Sequence, residues 1–171
     1  MNHLKYCSNC SAENIYSYID GNYRYHCKQC STIHYENPKP TATIICMNNN
    51  QILLAKRAFE PAKGEWGLPG GFMELNETLY EAAKRELKEE TNLEGEVTSI
   101  LSTCSHYGSI FGDILLICVI MNVNDFSNMK AEDDVEELLF FDIHDLPELA
   151  FYCHNKFINE YKKIFSKNNN L

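Results

Sequence analysis

Apolar positions along this chain recur with two periods. From Thr41 to Met47 they run almost without interruption, Asn48-Asn49-Asn50 supplies turn chemistry, and Gln51 to Lys56 continues in the same style. That is the pattern of a buried strand and its hairpin partner. Val97–Cys104, Ile114–Val123 and Leu138–Phe141 also read as strands, the second as fully buried. Leu79, Ala83 and Leu87 instead fall at helical spacing, behind the capping box Thr78-x-x-Glu81 and ahead of Asn92, a residue that tolerates the left-handed turn ending a helix. Phe151 to Phe165 reads as a closing amphipathic helix. Strands mixed with two substantial helices predict a layered α/β fold.

The first forty residues follow another rule. Tyr16, Tyr18, Tyr23 and Tyr25 alternate with polar residues around Asp20-Gly21-Asn22, which predicts a hairpin. Flanking it are Cys7-x-x-Cys10 and Cys27-x-x-Cys30, with sixteen residues between the pairs. Two such knuckles at this spacing predict a four-thiolate zinc site. A segment this short holds too little core to fold alone, so the metal is expected to supply the folding energy. Pro38 and Pro40 then break the chain. The reading is a zinc ribbon over 1–37, a main domain over 38–166 and a frayed tail over 167–171.

Composition narrows the function. A net charge of −9 argues against a protein that coats nucleic acid, since such binding neutralises phosphates with Lys and Arg. Within residues 1–40, Lys5, Arg24, Lys28 and Lys39 face Glu13, Asp20 and Glu36, a near-neutral balance that favours a structural ribbon or an oligomer contact, such as that of a homodimer. The stretch Met1 to Cys7 has no apolar core of the secretory kind, and no apolar run reaches membrane-span length. With Cys46, Cys104, Cys118 and Cys153 scattered as small hydrophobes, a cytoplasmic location is expected.

The candidate chemistry lies in Gly71-Phe-Met-Glu-Leu-Asn-Glu77 and onward to Arg85-Glu86-Leu87-Lys-Glu89-Glu90-Thr-Asn92-Leu93. Offsets of three and four residues place Glu86, Glu89 and Glu90 on one patch of a helix, where like charges repel. A hard divalent cation such as Mg²⁺, which takes oxygen ligands and works with substrate phosphates, would turn that repulsion into binding. A solvated charged helix also explains the carboxylates alone. It leaves unexplained the Gly70-Gly71 pair, Trp66 ahead of it, and the fixed spacing back to Glu77.

These residues resemble the signature of the Nudix hydrolases, G-x5-E-x7-R-E-U-x-E-E-x-G-U with U aliphatic. Gly71, Glu77, Arg85, Glu86, Leu87, Glu89, Glu90 and Leu93 match, and Asn92 stands where the family has glycine. The resemblance implies an α/β/α sandwich with a mixed sheet, and Mg²⁺ (or Mn²⁺) held by Glu86, Glu89, Glu90 and the carbonyl of Gly70. It implies that one or more of these carboxylates takes the proton of the attacking water, with Arg85 and Glu77 steadying the array. An additional carboxylate outside the box is assigned to Glu137, with Glu136 second.

Trp66 either lines the site or packs its loop, and His106 and Tyr107, on a loop between strands, are candidate substrate contacts. The cysteine pairs together with His34-Tyr-Glu-Asn-Pro38-Lys, Trp66 to Glu74 and Asp145 to Phe151 resemble the zinc-ribbon subgroup, whose relatives cleave ADP-ribose, FAD or NADH. The Ser-Gln-Pro-Trp-Pro-Phe-Pro element of the NADH branch is missing from Thr103 onward, which demotes NADH. The expected substrate is a small dinucleotide or ADP-sugar, split into AMP and a phosphate ester. Two alternatives stay open: a Nudix-like ligand sensor, and an RNA-binding role through the ribbon.

Overall fold

The structure, a computed structural model, describes residues 4–168. The chain divides into two compact units that meet between Asn37 and Pro38. In the first, β1 (Ile15–Ile19), β2 (Asn22–His26) and β3 (Ile33–His34) form an antiparallel sheet in that order. Asp20 and Gly21 both adopt positive φ, 51° and 77°, the geometry of the tight hairpin turns that match strand twist. The register sets Tyr16 opposite Tyr25 and Tyr18 opposite Tyr23. Rings along this hairpin touch, with Tyr16 and Tyr25 centroids 4.8 Å apart.

The second unit comprises β4 (Lys39–Asn48), β5 (Gln51–Arg57), β6 (Trp66–Gly67), β7 (Gly70–Phe72), α1 (Leu79–Thr91), β8 (Glu96–Ser109), β9 (Gly112–Asn122), β10 (Val135–Asp142) and α2 (Tyr152–Asn168). The sheet runs β10-β5-β4-β9-β8, with β6 added to β5 and β7 to β4. It is mixed, because β4 pairs parallel with β9 and antiparallel with β5 and β7. β4 explains why its sequence reads as one apolar run. Ala42, Ile44 and Cys46 belong to the core beneath α1, and Ile45 to a second core with Phe157 and Ile158 of α2. Both faces are covered, so apolar residues occupy both parities, interrupted by the buried Thr41 and Thr43.

This is the expected α/β/α sandwich, with local corrections. β9 is not fully buried: Leu116, Cys118, Val119 and Met121 are, while Ile114, Leu115, Ile117 and Ile120 are only partly so. β8 continues past Cys104 to Ser109, so His106 and Tyr107 lie on a strand rather than a loop; Ser105 and His106 pair with Leu115 and Ile114 of β9, and the register then shifts before Ser109. α2 extends through Asn168, beyond the expected end at Phe165, and the remainder of the expected frayed tail, 169–171, lies outside the described residues.

Candidate active site and metal centre

α1 begins where the sequence says it should. The Thr78 hydroxyl accepts from the Glu81 amide while the Glu81 carboxylate accepts from the Thr78 amide. It ends at Asn92, which takes the left-handed conformation (φ 56°) and donates its backbone N–H to Lys88 O. Between these caps the helix presents Ala82, Ala83 and Leu87 to the core, and Glu86 and Glu90, one turn apart, are buried beside them.

Glycines make room for these carboxylates. A Cβ on Gly71 would lie 2.7 Å from both oxygens of Glu86, so any side chain there would evict it. Gly70 adopts φ +133°, and a Cβ on it would fall 2.1 Å from Ala42 O. Its amide donates to Glu90 Oε2 at 2.8 Å. Arg85 is the hub of the outer shell. Its Nε and Nη2 grip both oxygens of Glu77 at 3.0 and 2.7 Å, and Nη1 donates to Glu86 Oε1 (2.7 Å) and Glu89 Oε2 (2.9 Å). Nη2 also donates to Phe72 O at 3.0 Å, tying the loop to the helix.

The charges divide accordingly. The Arg85 guanidinium, helped by the Glu74 amide, holds Glu77 below the usual carboxylate range. Burial pushes Glu86 up despite Arg85. Glu90 is pushed up furthest, by burial first, with Asp134 and Glu86 adding repulsion and the Gly70 amide opposing it. Two enclosed carboxylates with a third nearby form an all-oxygen donor set of net negative charge, even with Arg85 paired to Glu86 and Glu89, which suits a hard divalent ion. The residues fit such an ion in chemistry. Among the described residues, however, only Cys7, Cys10, Cys27 and Cys30 bring three or more ligand atoms within 4.8 Å of one another.

Those four sulfurs stand in two close pairs, Cys7–Cys30 at 3.6 Å and Cys10–Cys27 at 3.5 Å. Thiolates about 2.3 Å from a central tetrahedral ion would stand about 3.8 Å apart, so the cluster fits zinc with small adjustment.

A cavity of about 610 Å³ opens beside Gly70 and Glu90. Arg57, Asp134, His106, Phe151 and His154 line it, with Phe59, Phe72, Ile110 and Phe111 among its apolar walls. A smaller groove of about 360 Å³ near Asn92 and Asn124 contains none of Glu86, Glu89 or Glu90.

The predicted residues are therefore distributed as follows. Glu77, Glu86 and Glu89 gather on Arg85, Gly70 meets Glu90, and Gly70, Glu90 and His106 line the cavity. Tyr107, the next residue on the strand, is largely exposed and outside its lining. Trp66 does not line it either; its ring packs edge-on against Phe141, 4.9 Å between centroids, in the core shared with α2. Glu137 is a correction as well. It lies within β10, half exposed, 3.6 Å from Lys56, as does Glu136. Asp134 lines the cavity instead. Lys130 N–Thr91 O (3.0 Å), Glu132 N–Glu90 O (3.1 Å) and Ala58 N–Asp134 O (2.8 Å) stitch its loop to α1 and β5. The acidic run marked this region, but only the loop path selects the residue. Arg57 and His154 had no sequence signal.

The NUDIX domain family matches residues 37–161. The chain belongs to the Nudix family. Its enzyme class is that of the Nudix pyrophosphohydrolases. It is 42% identical over 130 residues to an ADP-ribose pyrophosphatase of Methanocaldococcus jannaschii, covering 75% of this chain and 76% of that one. It is 27% identical over 153 residues to the NAD-capped RNA hydrolase NudC of Vibrio atlanticus; the match takes in 86% of this Nudix chain and 52% of the NudC chain. Among solved structures, a NUDIX hydrolase from Nitrosomonas europaea aligns with TM-score 0.82 at 32% identity, covering 94% of this chain and 91% of that one. Among the described residues, no helix of this Nudix protein is long and apolar enough to cross a membrane.

Proposed function

We propose that this Nudix hydrolase uses water to split the pyrophosphate of an ADP-linked small molecule, ADP-ribose or FAD before NADH, giving AMP and a phosphate ester. The observation that carries the reading is the buried Glu90, with the buried Glu86 one turn before it, on a cavity whose other walls are largely apolar and aromatic, with Arg57 as a cation. Such walls suit a nucleoside, and a guanidinium suits a phosphate oxygen. The similarity to an ADP-ribose pyrophosphatase supports the substrate choice.

Glu86, Glu89, Glu90 and the Gly70 carbonyl would hold Mg²⁺ or Mn²⁺, which when bound neutralises phosphoryl charge and makes water nucleophilic. Arg85 and Glu77 hold the carboxylates in place. One or more of these carboxylates accepts the proton of the attacking water, and Asp134, on the cavity wall, is the added carboxylate from outside the box. Water forms one P–O bond as the bridging P–O bond breaks, and both products leave as monoesters. Cys7, Cys10, Cys27 and Cys30 would hold a structural zinc, making 1–37 a ribbon and 38–166 the hydrolase domain of a cytoplasmic protein.

One observation favours a second reading. Tyr16, Tyr18 and Tyr23 are exposed on the ribbon hairpin, a stacking surface of the sort RNA bases use, and a NudC relative acts on NAD-capped RNA. A panel with Mg²⁺ covering ADP-ribose, FAD, NADH, NAD-capped RNA and deoxynucleoside triphosphates decides between them. AMP from ADP-ribose or FAD at the highest kcat/KM is expected; faster turnover of triphosphates rejects the substrate choice.

A further inference from the structure

The segment 66–70, which leads into β7, is held from three sides. β4 holds it through Ile44 N–Pro69 O at 2.8 Å, and α1 through Gly70 N–Glu90 Oε2 at 2.8 Å. The third support comes from far along the chain. Leu149 bridges Trp66 in parallel, Ala150 N donates to Trp66 O at 2.8 Å, and the Leu68 amide donates to His154 Nδ1 at 3.0 Å. The last of these bonds is buried, and of the two hydrogen bonds it is the one made by a side chain.

The histidine is built in rather than merely present. A Cβ on Gly67 would lie 3.1 Å from Nδ1 and 3.2 Å from Cε1, so the absence of a side chain at 67 lets the ring reach the amide. Phe151, one turn earlier, meets the ring edge-on with centroids 5.3 Å apart. Because Nδ1 accepts, the ring proton sits on Nε2. Burial, with Arg57 adding repulsion, drops the imidazole to about 3, so this acceptor survives at any working pH. Lysine, arginine or a protonated imidazole could not do this, having no lone pair to offer.

We propose that His154 is a positioning residue for hydrolysis: its neutral Nδ1 fixes the Leu68 amide and thereby sets where Gly70 meets Glu90. This rests on the reading of Gly70 and Glu90 as metal-site groups. Leu68 and Gly70 are separated by Pro69 alone, whose ring restricts φ, so a shift at Leu68 passes to Gly70 with little slack. A carboxylate displaced by a fraction of an ångström loses geometry that catalysis needs, and the cost falls on turnover more than on binding.

Two substitutions at one site separate acceptor from bulk. His154→Phe keeps an aromatic ring and leaves the Leu68 N–H unpaired. His154→Asn places Oδ1 at the same bond count from Cα as Nδ1. Three readouts on the full chain with Mg²⁺ or Mn²⁺ apply: kcat and KM for ADP-ribose, Mn²⁺ affinity by electron paramagnetic resonance, and amide exchange at Leu68 and Gly70. His154→Phe should lower kcat at least about tenfold with KM within about threefold, weaken Mn²⁺ several-fold, and speed exchange at both amides at least about tenfold; His154→Asn should recover most of each. Gly67→Ala, which pushes on the ring from below, should reproduce the defects of His154→Phe more weakly and decides the matter if His154→Phe does not fold. Unchanged kcat and Leu68 exchange in His154→Phe, or no recovery with His154→Asn, overturns the clamp. If wild-type protein cleaves no dinucleotide, the substrate reading fails while exchange and Mn²⁺ affinity still judge His154.

Discussion

The cysteine cluster and the glutamate cluster are both candidate metal centres, and they are built on opposite plans. Four thiols from two short turns converge until their sulfurs almost touch, and ligands of this kind leave no coordination position free. The glutamates instead are spread along one helix: Arg85 holds Glu86 and Glu89, and Glu90 lines a cavity. A closed sphere of soft ligands holds chain together; an open set of hard ligands leaves room for substrate and water. Even the protonation logic differs. The Thr32 hydroxyl and amide pull the Cys30 thiol down to about 5, toward the ligand form, while contacts with Cys30 and Cys27 push Cys10 up; enclosure pushes Glu86 and Glu90 up, Glu86 even with Arg85 beside it.

The largest effect should come from the closed site. Cys27→Ser, or a strong zinc chelator, should cost the ribbon on the order of 10 kcal/mol and abolish amide protection across 4–37. ADP-ribose turnover should fall later and less. Protection that persists under chelation, with zinc absent by elemental analysis, would break the comparison on its metal side.

At the open site, Glu90→Gln should reduce kcat by roughly 10²–10⁴-fold with circular dichroism unchanged, while Glu137→Gln changes it less than about twofold. The pair sharpens the geometric choice between the cavity wall and the Lys56 pair. Equal losses would restore Glu137 to the site.

An intermediate effect follows from the buried imidazole that braces the open site. Its folded pKa of about 3 lies below the ordinary 6.5, so as pH falls below 6.5 the unfolded chain takes a proton that the native one refuses. Wild-type stability should drop relative to His154→Asn by about 1.4 kcal/mol per pH unit between about 6.5 and 3, and not at all above about 7. Urea titrations of both proteins at several pH values read the difference, and parallel curves would contradict a neutral buried ring.

The smallest effect is at the end of α1. Asn92 already takes the left-handed conformation and spends its side chain on Asn128 O at 3.0 Å. Asn92→Gly, the family residue, relieves backbone strain and loses that bond, so the net change should stay within about 0.5 kcal/mol. A melting shift beyond a few degrees would mean that one of the two effects has been misjudged.

Much of this was legible in order along the chain. Caps, the glycine pair, the i,i+4 carboxylates and the paired cysteines are local devices, and each has a fixed spacing because the element beneath it has a fixed pitch. The failures share a cause too. Sequence leaves Trp66 between lining the site and packing its loop, and Tyr107 draws attention as a single aromatic; which way a strand residue faces depends on how the strand is placed in the sheet, not on its own letter. Glu137 was chosen for its place before a strand; the strand begins two residues earlier, and the loop behind it delivers Asp134.

Sequence alone determined the helix that carries the acids, the residues that cap it, and the thiols that can close on a metal, because these obey short-range periodicity. Tertiary structure decided which carboxylate completes the cavity, that Arg57 faces it, and that a histidine 86 positions away braces the glycine loop. Such choices depend on loop paths and sheet order, where contacts between distant segments are fixed by packing rather than by spacing.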